Sequence, residues 1–287
     1  MDSKEFKKEI DQYIDSSYKA FQSYQDMIKE LFGVFHKVCE ENNIRYYTAF
    51  GTLLGIIRDG GMIPWDADID IMLPITEAEK DIKILSEKLP EDYYLVSNYI
   101  DPNYYLCETR MCKKGYDPDI FHIDFFYLIG APDDEKERGK YRKTVRKTFY
   151  LRAIRNQPIK KGDNRRDQLV YYSKKFIKFW LHLIPNSVVN SRCEKLMHKY
   201  DMDKCSYYTS WDDLAAMYPA DAFDPIKRVE VEGQEYCIPS DSERVLEPVY
   251  SDFRSYMPVA RRFDEFYTSV QRFNRYAPAS SKQNEQN

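Results

Sequence analysis

Asp66, Asp68 and Asp70 alternate with Ala67, Ile69 and Ile71 in the run WDADIDIML. Side chains two apart share one face of an extended strand, so this spacing predicts a row of carboxylates backed by an apolar row facing a core. Carboxylates gathered on a half-buried face repel one another and lose hydration, and a divalent cation relieves both costs. Asp-x-Asp alone is common at solvated strand edges. Here Ile69, Ile71, Met72 and Leu73 argue for a buried strand instead. Asp68 and Asp70 are the expected metal ligands, with Mg2+ as the expected ion and Mn2+ as the alternative.

A second chemical element lies upstream. A strand expected over 44–48 runs into Phe50-Gly51-Thr52. Gly51 has no Cβ and would let a phosphate reach the backbone, Thr52 adds a hydroxyl, and a helix starting there adds unpaired N–H groups. A phosphate-gripping turn followed by an acidic pair is the layout of a nucleotidyltransferase-type active site. Downstream, His122-Ile123-Asp124-Phe125-Phe126 sets Asp124 on one strand face with His122 and Phe126. An aspartate in so apolar a strand needs a partner. Either it is a third metal ligand or the base for an acceptor hydroxyl, or it pairs with Arg110 on a neighbouring strand. Arg58, Trp65, Asp66 and Arg110 join Gly51 and Thr52 as expected substrate-binding residues. Arg58 would neutralise charge on a leaving group.

The run FGTLLGIIRDGGMIPWDADIDIMLP resembles the signature of the LicD/fukutin-related family, which has the nucleotidyltransferase superfold. The likeness continues at HIDFF, where the family carries a third acidic residue, and at EGQEYCIPSDSERVLEPVYSDFRSYMP near the C-terminus. Two positions depart from it: Ser251 replaces glycine in Tyr250-Ser251-Asp252, and Ala67 stands where many relatives have aspartate. The resemblance implies a Mg2+-dependent enzyme that moves a phospho-alcohol from a CDP-activated donor, typically phosphocholine from CDP-choline, to a sugar hydroxyl. The acceptor would be a lipid-linked or cell-surface glycan precursor of lipopolysaccharide, teichoic acid or capsule. Related members are associated with ribitol or glycerol phosphate. A metal-dependent glycosyltransferase and a non-catalytic nucleotide-binding relative are the rival readings. The first lacks an alternating strand–helix half ahead of the acids, and the second would be expected to have lost one of Asp68, Asp70 and Asp124.

The 287 residues, 43% hydrophobic and 31% charged, suit one large or two small domains. No apolar run approaches the ~20 residues needed to cross a bilayer, and the first residues lack a signal-peptide stretch. A cytoplasmic protein, peripheral at the inner membrane face, is expected. The six cysteines show no Cys-x-x-Cys spacing and read as reduced and mostly buried. Residues 131–200 hold 19 Lys/Arg against 7 Asp/Glu, while the rest of the chain holds 24 against 40. Anionic partners should meet the basic part. A pI of 5.7 without a recognised nucleic-acid module argues against nucleic acid.

The elements that must position these residues follow from periodicity. Apolar spacing gives helical character over 4–41, as one long helix or two shorter ones. Thr76-Glu77-Ala78-Glu79 reads as a capping box opening a helix that ends near Pro90. Strands are expected over 93–97, 104–111 and 122–129. The predicted fold is α+β: a nucleotidyltransferase-like mixed sheet with flanking helices and a basic helical insertion. The expected parts are an N-terminal helical segment (1–41), a catalytic core (42–130), the insertion (131–205), a part completing the catalytic domain (206–276) and a disordered tail (277–287). In the insertion, Lys174, Lys175, Lys178 and His182 flank an aromatic stretch from Phe176 to Ile184. That composition fits either a segment on an anionic membrane or a helix packed on the core.

Overall fold

The computed structural model describes residues 3–159, 161, 164–211 and 214–276, so the expected tail over 277–287 lies outside the described residues. Helix α1 (Ser3–Asn42) is a single helix of 40 residues. Phe21, Ile28, Leu31, Phe32 and Phe35 recur on it at three- and four-residue spacing, and all are buried. The short strand β1 (Tyr47–Thr48), helix α2 (Phe50–Arg58), strand β2 (Ile69–Pro74) and helix α3 (Ile75–Lys88) follow. Three strands come next: β3 (Tyr93–Val96), β4 (Thr109–Lys113) and β5 (His122–Ala131).

Helices α4 (Glu135–Asn156), α5 (Arg165–His182) and α6 (Asn186–Met197) occupy the basic segment. The chain then returns to the sheet with β6 (Tyr207–Ser210) and β7 (Tyr218–Pro219). A hairpin of β8 (Lys227–Val231) and β9 (Gln234–Ile238) precedes α7 (Ser242–Tyr250) and α8 (Val259–Tyr276).

The main sheet runs β1-β2-β5-β4-β3, with β6 added along the C-terminal half of β5 and β7 beside β6. Only β2 and β5 are parallel; the other pairs are antiparallel, which makes the sheet mixed and the fold α+β. Ile69, Ile71 and Leu73 of β2 and Ile123, Phe125 and Tyr127 of β5 are all buried. Phe35 of α1 meets Phe125 at 4.8 Å between ring centroids. The hairpin is fastened by Thr48 Oγ1, which donates to the Cys237 carbonyl at 2.8 Å, and by the Phe32–Tyr236 stack.

Several local expectations need correction. The acid strand starts at Ile69, so Asp66 and Asp68 lie in the approach to it, although the alternation of buried Ala67, Ile69 and Ile71 with part-exposed aspartates persists. Helix α3 follows β2 directly from Pro74 without a side-chain cap, so the Thr76–Glu79 box is not formed. The segment 104–108 is not strand; β4 begins at Thr109.

Candidate active site

The parallel register of β2 and β5 sets Asp70 directly opposite Asp124, and the antiparallel register of β4 sets Arg110 on the other side of Asp124. Register partners point to the same face, so Asp70, Asp124 and Arg110 form a row across three strands. Arg110 Nε donates to Asp124 Oδ1 at 3.0 Å, and His122 Nε2 lies 3.2 Å from Asp124 Oδ2. Asp124 is thus paired with Arg110, as one branch of the sequence reading required. Burial opposes its charge, but His122 and Arg110 outweigh that and hold its pKa below the usual carboxylate range.

Asp66 and Asp68 form the second half of the acidic group. Their carboxyls share a hydrogen bond, and burial first, then the neighbouring Asp68 charge, push the Asp66 pKa well up. Asp66 Oδ1 accepts from the Ala67 N–H at 3.0 Å, which turns the carboxyl back onto its own loop. Gln25 of α1 pins that loop from below, its Nε2 donating to the carbonyls of Asp66 at 2.8 Å and Ile63 at 3.0 Å. Tyr250, at the end of α7, faces the whole group. Burial and then Asp70, Asp66 and Asp68 drive its hydroxyl pKa upward.

The Gly51–Thr52 turn is built differently from the expectation. Helix α2 already begins at Phe50, whose φ of 44° is a left-handed value rare for a bulky residue. The Phe50 ring packs edge-on against Phe126, 5.1 Å away between centroids, on the face of β5 that carries Asp124. A Cβ on Gly51 would come within 2.6 Å of Asp66 Oδ2, so the space left by the missing side chain holds a carboxylate. The Thr52 hydroxyl accepts from the Asp70 N–H at 2.9 Å and ties the helix to the acid strand. Both residues position the aspartates.

Arg58 is committed elsewhere. Its Nε and one Nη donate to Asp59 at 3.0 and 2.8 Å, and Tyr256 covers the guanidinium at 4.5 Å. Two donors assigned above to a leaving group are therefore spent on Asp59. Trp65 lines a cleft of about 350 Å3 together with Gly51, Asp66, Asp68 and Tyr250. Met257, Glu265, Thr268 and Ser269 close the cleft from the C-terminal side. Ser269 Oγ donates to the Trp65 carbonyl at 3.2 Å, and the Arg262 guanidinium lies over the Trp65 and Tyr256 rings at 5.6 and 5.5 Å.

Residues 43–127, the stretch that contains α2 and every aspartate of this site, match the model of the LicD/FKTN/FKRP nucleotidyltransferase domain. Over that stretch the chain is similar to the nucleotidyltransferase domain of the LicD/fukutin-related family. It is 26% identical over 255 residues to the lipopolysaccharide cholinephosphotransferase LicD of Haemophilus influenzae, covering 78% of this chain and 87% of that protein. An uncharacterized protein of Rickettsia prowazekii is 39% identical over 106 residues, 37% of this chain and 35% of its own length. Mannosyltransferase regulator 4 of Saccharomyces cerevisiae shares 31% over 74 residues, which is 26% of this chain and 6% of that protein.

As a site for a divalent cation, the arrangement fits in its charge. Burial and the neighbouring Asp68 charge raise the proton affinity of Asp66, and a divalent ion would compete with that proton. The ligand atoms are not yet gathered. Among the described residues, the group whose three ligand atoms lie within 4.8 Å of one another is His36, Glu40 and Cys237, where Arg228 already pairs with Glu40. Gln25, Asp59, His122, Tyr250 and Tyr256 were missed from sequence. Asp59, His122, Tyr250 and Tyr256 all stood in segments singled out there, but local spacing does not tell which groups their side chains meet.

Proposed function

We propose that the protein transfers a phospho-alcohol, with phosphocholine from CDP-choline as the first choice, to a hydroxyl of a cell-surface glycan precursor, working from the cytoplasmic side and releasing CMP. The observation that supports this reading is similarity along 78% of the chain to a cholinephosphotransferase, a span that includes the acid group. The acceptor oxygen attacks the phosphorus that bears the alcohol, and the bond from that phosphorus to the oxygen of CMP breaks. Asp68 and Asp70 would hold Mg2+, with Asp124 completing the ligand set. When bound, the ion neutralises charge on the diphosphate.

The chain's own residues do the rest. Asp124 has both oxygens committed and a lowered pKa, so it serves as a fixed negative charge better than as a base. Asp66 lines the cleft and is placed to accept the proton of the attacking hydroxyl. Gly51 lines the cleft, so the first turn of α2 is open to phosphate oxygens through its backbone N–H groups. At the far side, the Trp65 ring lines the cleft, and its face would suit the quaternary ammonium of choline in place of the Arg262 guanidinium.

The test is a donor panel with the full chain and Mg2+: CDP-choline, CDP-glycerol and CDP-ribitol against UDP-sugars. CMP release from a CDP-alcohol, stimulated by a glycan acceptor, is the expected result. Turnover of UDP-sugars alone would overturn the reading in favour of a glycosyltransferase. Absence of any metal-dependent nucleotide binding would leave a non-catalytic relative.

A further inference from the structure

Helix α5 buries none of its side chains. At about 100° per residue, Leu169, Tyr172, Phe176, Phe179, Trp180 and Leu183 fall within an arc of about 100° on one side of it. Each of the six is more than half exposed. A continuous stripe of that kind on a folded protein marks a contact surface. The lysines that flank this stretch in sequence are mostly behind the stripe: Lys174 and Lys178 are half-buried, and Lys178 Nζ donates to the Gln157 carbonyl at 2.9 Å. Lys175 alone borders it.

The cations that complement the stripe come from the neighbouring helices. A cavity of about 530 Å3 opens where α4, the end of α5 and α6 meet. Leu151, Leu181 and Val188 form its apolar floor, and Lys143, Lys147 and Arg192 stand at its walls. None of these three cations has an ion-pair partner among the described residues. A cationic rim over an apolar floor, beside an aromatic stripe, matches a lipid: phosphate at the rim, hydrocarbon below.

We propose that α4, α5 and α6 dock the protein on an anionic lipid bilayer, with α5 lying in the interface and a lipid phosphate held by Lys143, Lys147 and Arg192. No described helix is long and apolar enough to cross a membrane, so the contact lies along the surface. A second copy of the chain is a poorer occupant. Two-fold pairing would set a segment with 19 Lys/Arg against 7 Asp/Glu onto itself. The inference stands apart from the transferase reading, because binding to vesicles needs no donor.

The experiment is sedimentation of the full chain with vesicles of mixed phosphatidylglycerol and phosphatidylcholine, and with phosphatidylcholine alone. Binding to the mixed vesicles, weakening as salt rises, is expected. Phe176→Ser with Trp180→Ser should cut it by about tenfold or more, because two exposed aromatics lose their apolar burial. Lys143→Glu with Lys147→Glu should abolish the preference for phosphatidylglycerol. All four positions are exposed, so an unchanged melting temperature is the control for folding. Brominated lipid should quench wild-type tryptophan fluorescence, and Trp180→Phe should remove that quenching. Equal sedimentation of wild type and the double serine variant would overturn the proposal. So would a lipid-free dimer dispersed by the serine variant in a protein that ignores both vesicles, which would assign the stripe to a second copy.

Discussion

Around the acid strand, polar groups are held by one another: Asp124 by Arg110 and His122, Asp66 by Asp68, and Arg58 by Asp59. On α5 the reverse holds, and large apolar side chains stand exposed with no described residue burying them. The two regions are joined through α4 and α6. Arg152 of α4 is 2% exposed, and it donates to the carbonyls of Tyr104, Tyr105 and Leu106, to Asn190 Oδ1 and to Cys107 Sγ. It fastens the inner side of the helical insertion to the loop before β4, and leaves the outer side free. The acid group carries a cost that a cation would relieve, and the aromatic stripe carries one that an external surface would relieve. Both regions are organised for something outside the chain, one by charge and the other by apolar area.

The sharpest break in that comparison is at the acids. Asp68→Asn or Asp70→Asn keeps shape and removes charge, so Mg2+-dependent donor binding and transfer should fall together by about 10^3-fold or more, while the metal-free melting temperature holds or rises. Because the Asp66 carboxyl binds a proton more tightly in the folded protein, Mg2+ uptake should release protons and strengthen as pH rises. Calorimetry in buffers of different ionisation enthalpy measures this, and Asp66→Asn should abolish the release. Near-normal activity in both Asp68→Asn and Asp70→Asn would remove the site assignment.

Arg152 tests the joint. Arg152→Ala strands several buried acceptors and should cost about 3 kcal/mol in urea unfolding, far more than any single change on the exposed stripe. Asp81 tests the core side of α3. It is 2% exposed, its Oδ2 has no hydrogen-bond partner, and burial raises its pKa from 3.8 to about 6. The folded state therefore binds more protons than the unfolded state between those values, and stability drains away as pH rises through that window. Asp81→Asn should recover about 2 kcal/mol at neutral pH and nothing near pH 4.

The smallest effect concerns Ser251, the C-cap of α7, which sits at φ 47° beside Tyr250. That conformation is the physical reason a glycine suits the position. Ser251→Gly should raise stability by about 1 kcal/mol in thermal unfolding. A loss would mean that the serine hydroxyl compensates for the backbone.

Local pattern was enough for the acid strand and for β5, because period-two alternation fixes which side chains share a face whatever packs around them. It also gave the helical character of α1 and the basic, aromatic character of residues 165–184. Partner choice was beyond it. The spacing of Gly51, Thr52 and Asp66 cannot reveal that a carboxylate fills the space beside the glycine, or that the Thr52 hydroxyl is taken by the Asp70 N–H, since both contacts cross from α2 to a different stretch of chain. Arg58 offered a free cation in sequence and found Asp59 and Tyr256 in the fold. Tyr250 came to the acids from a point far along the chain. Periodicity is a property of neighbours in sequence and survives any tertiary arrangement. Whether a given carboxylate, hydroxyl or guanidinium is paired depends on chain crossings, and the tertiary structure alone decided those.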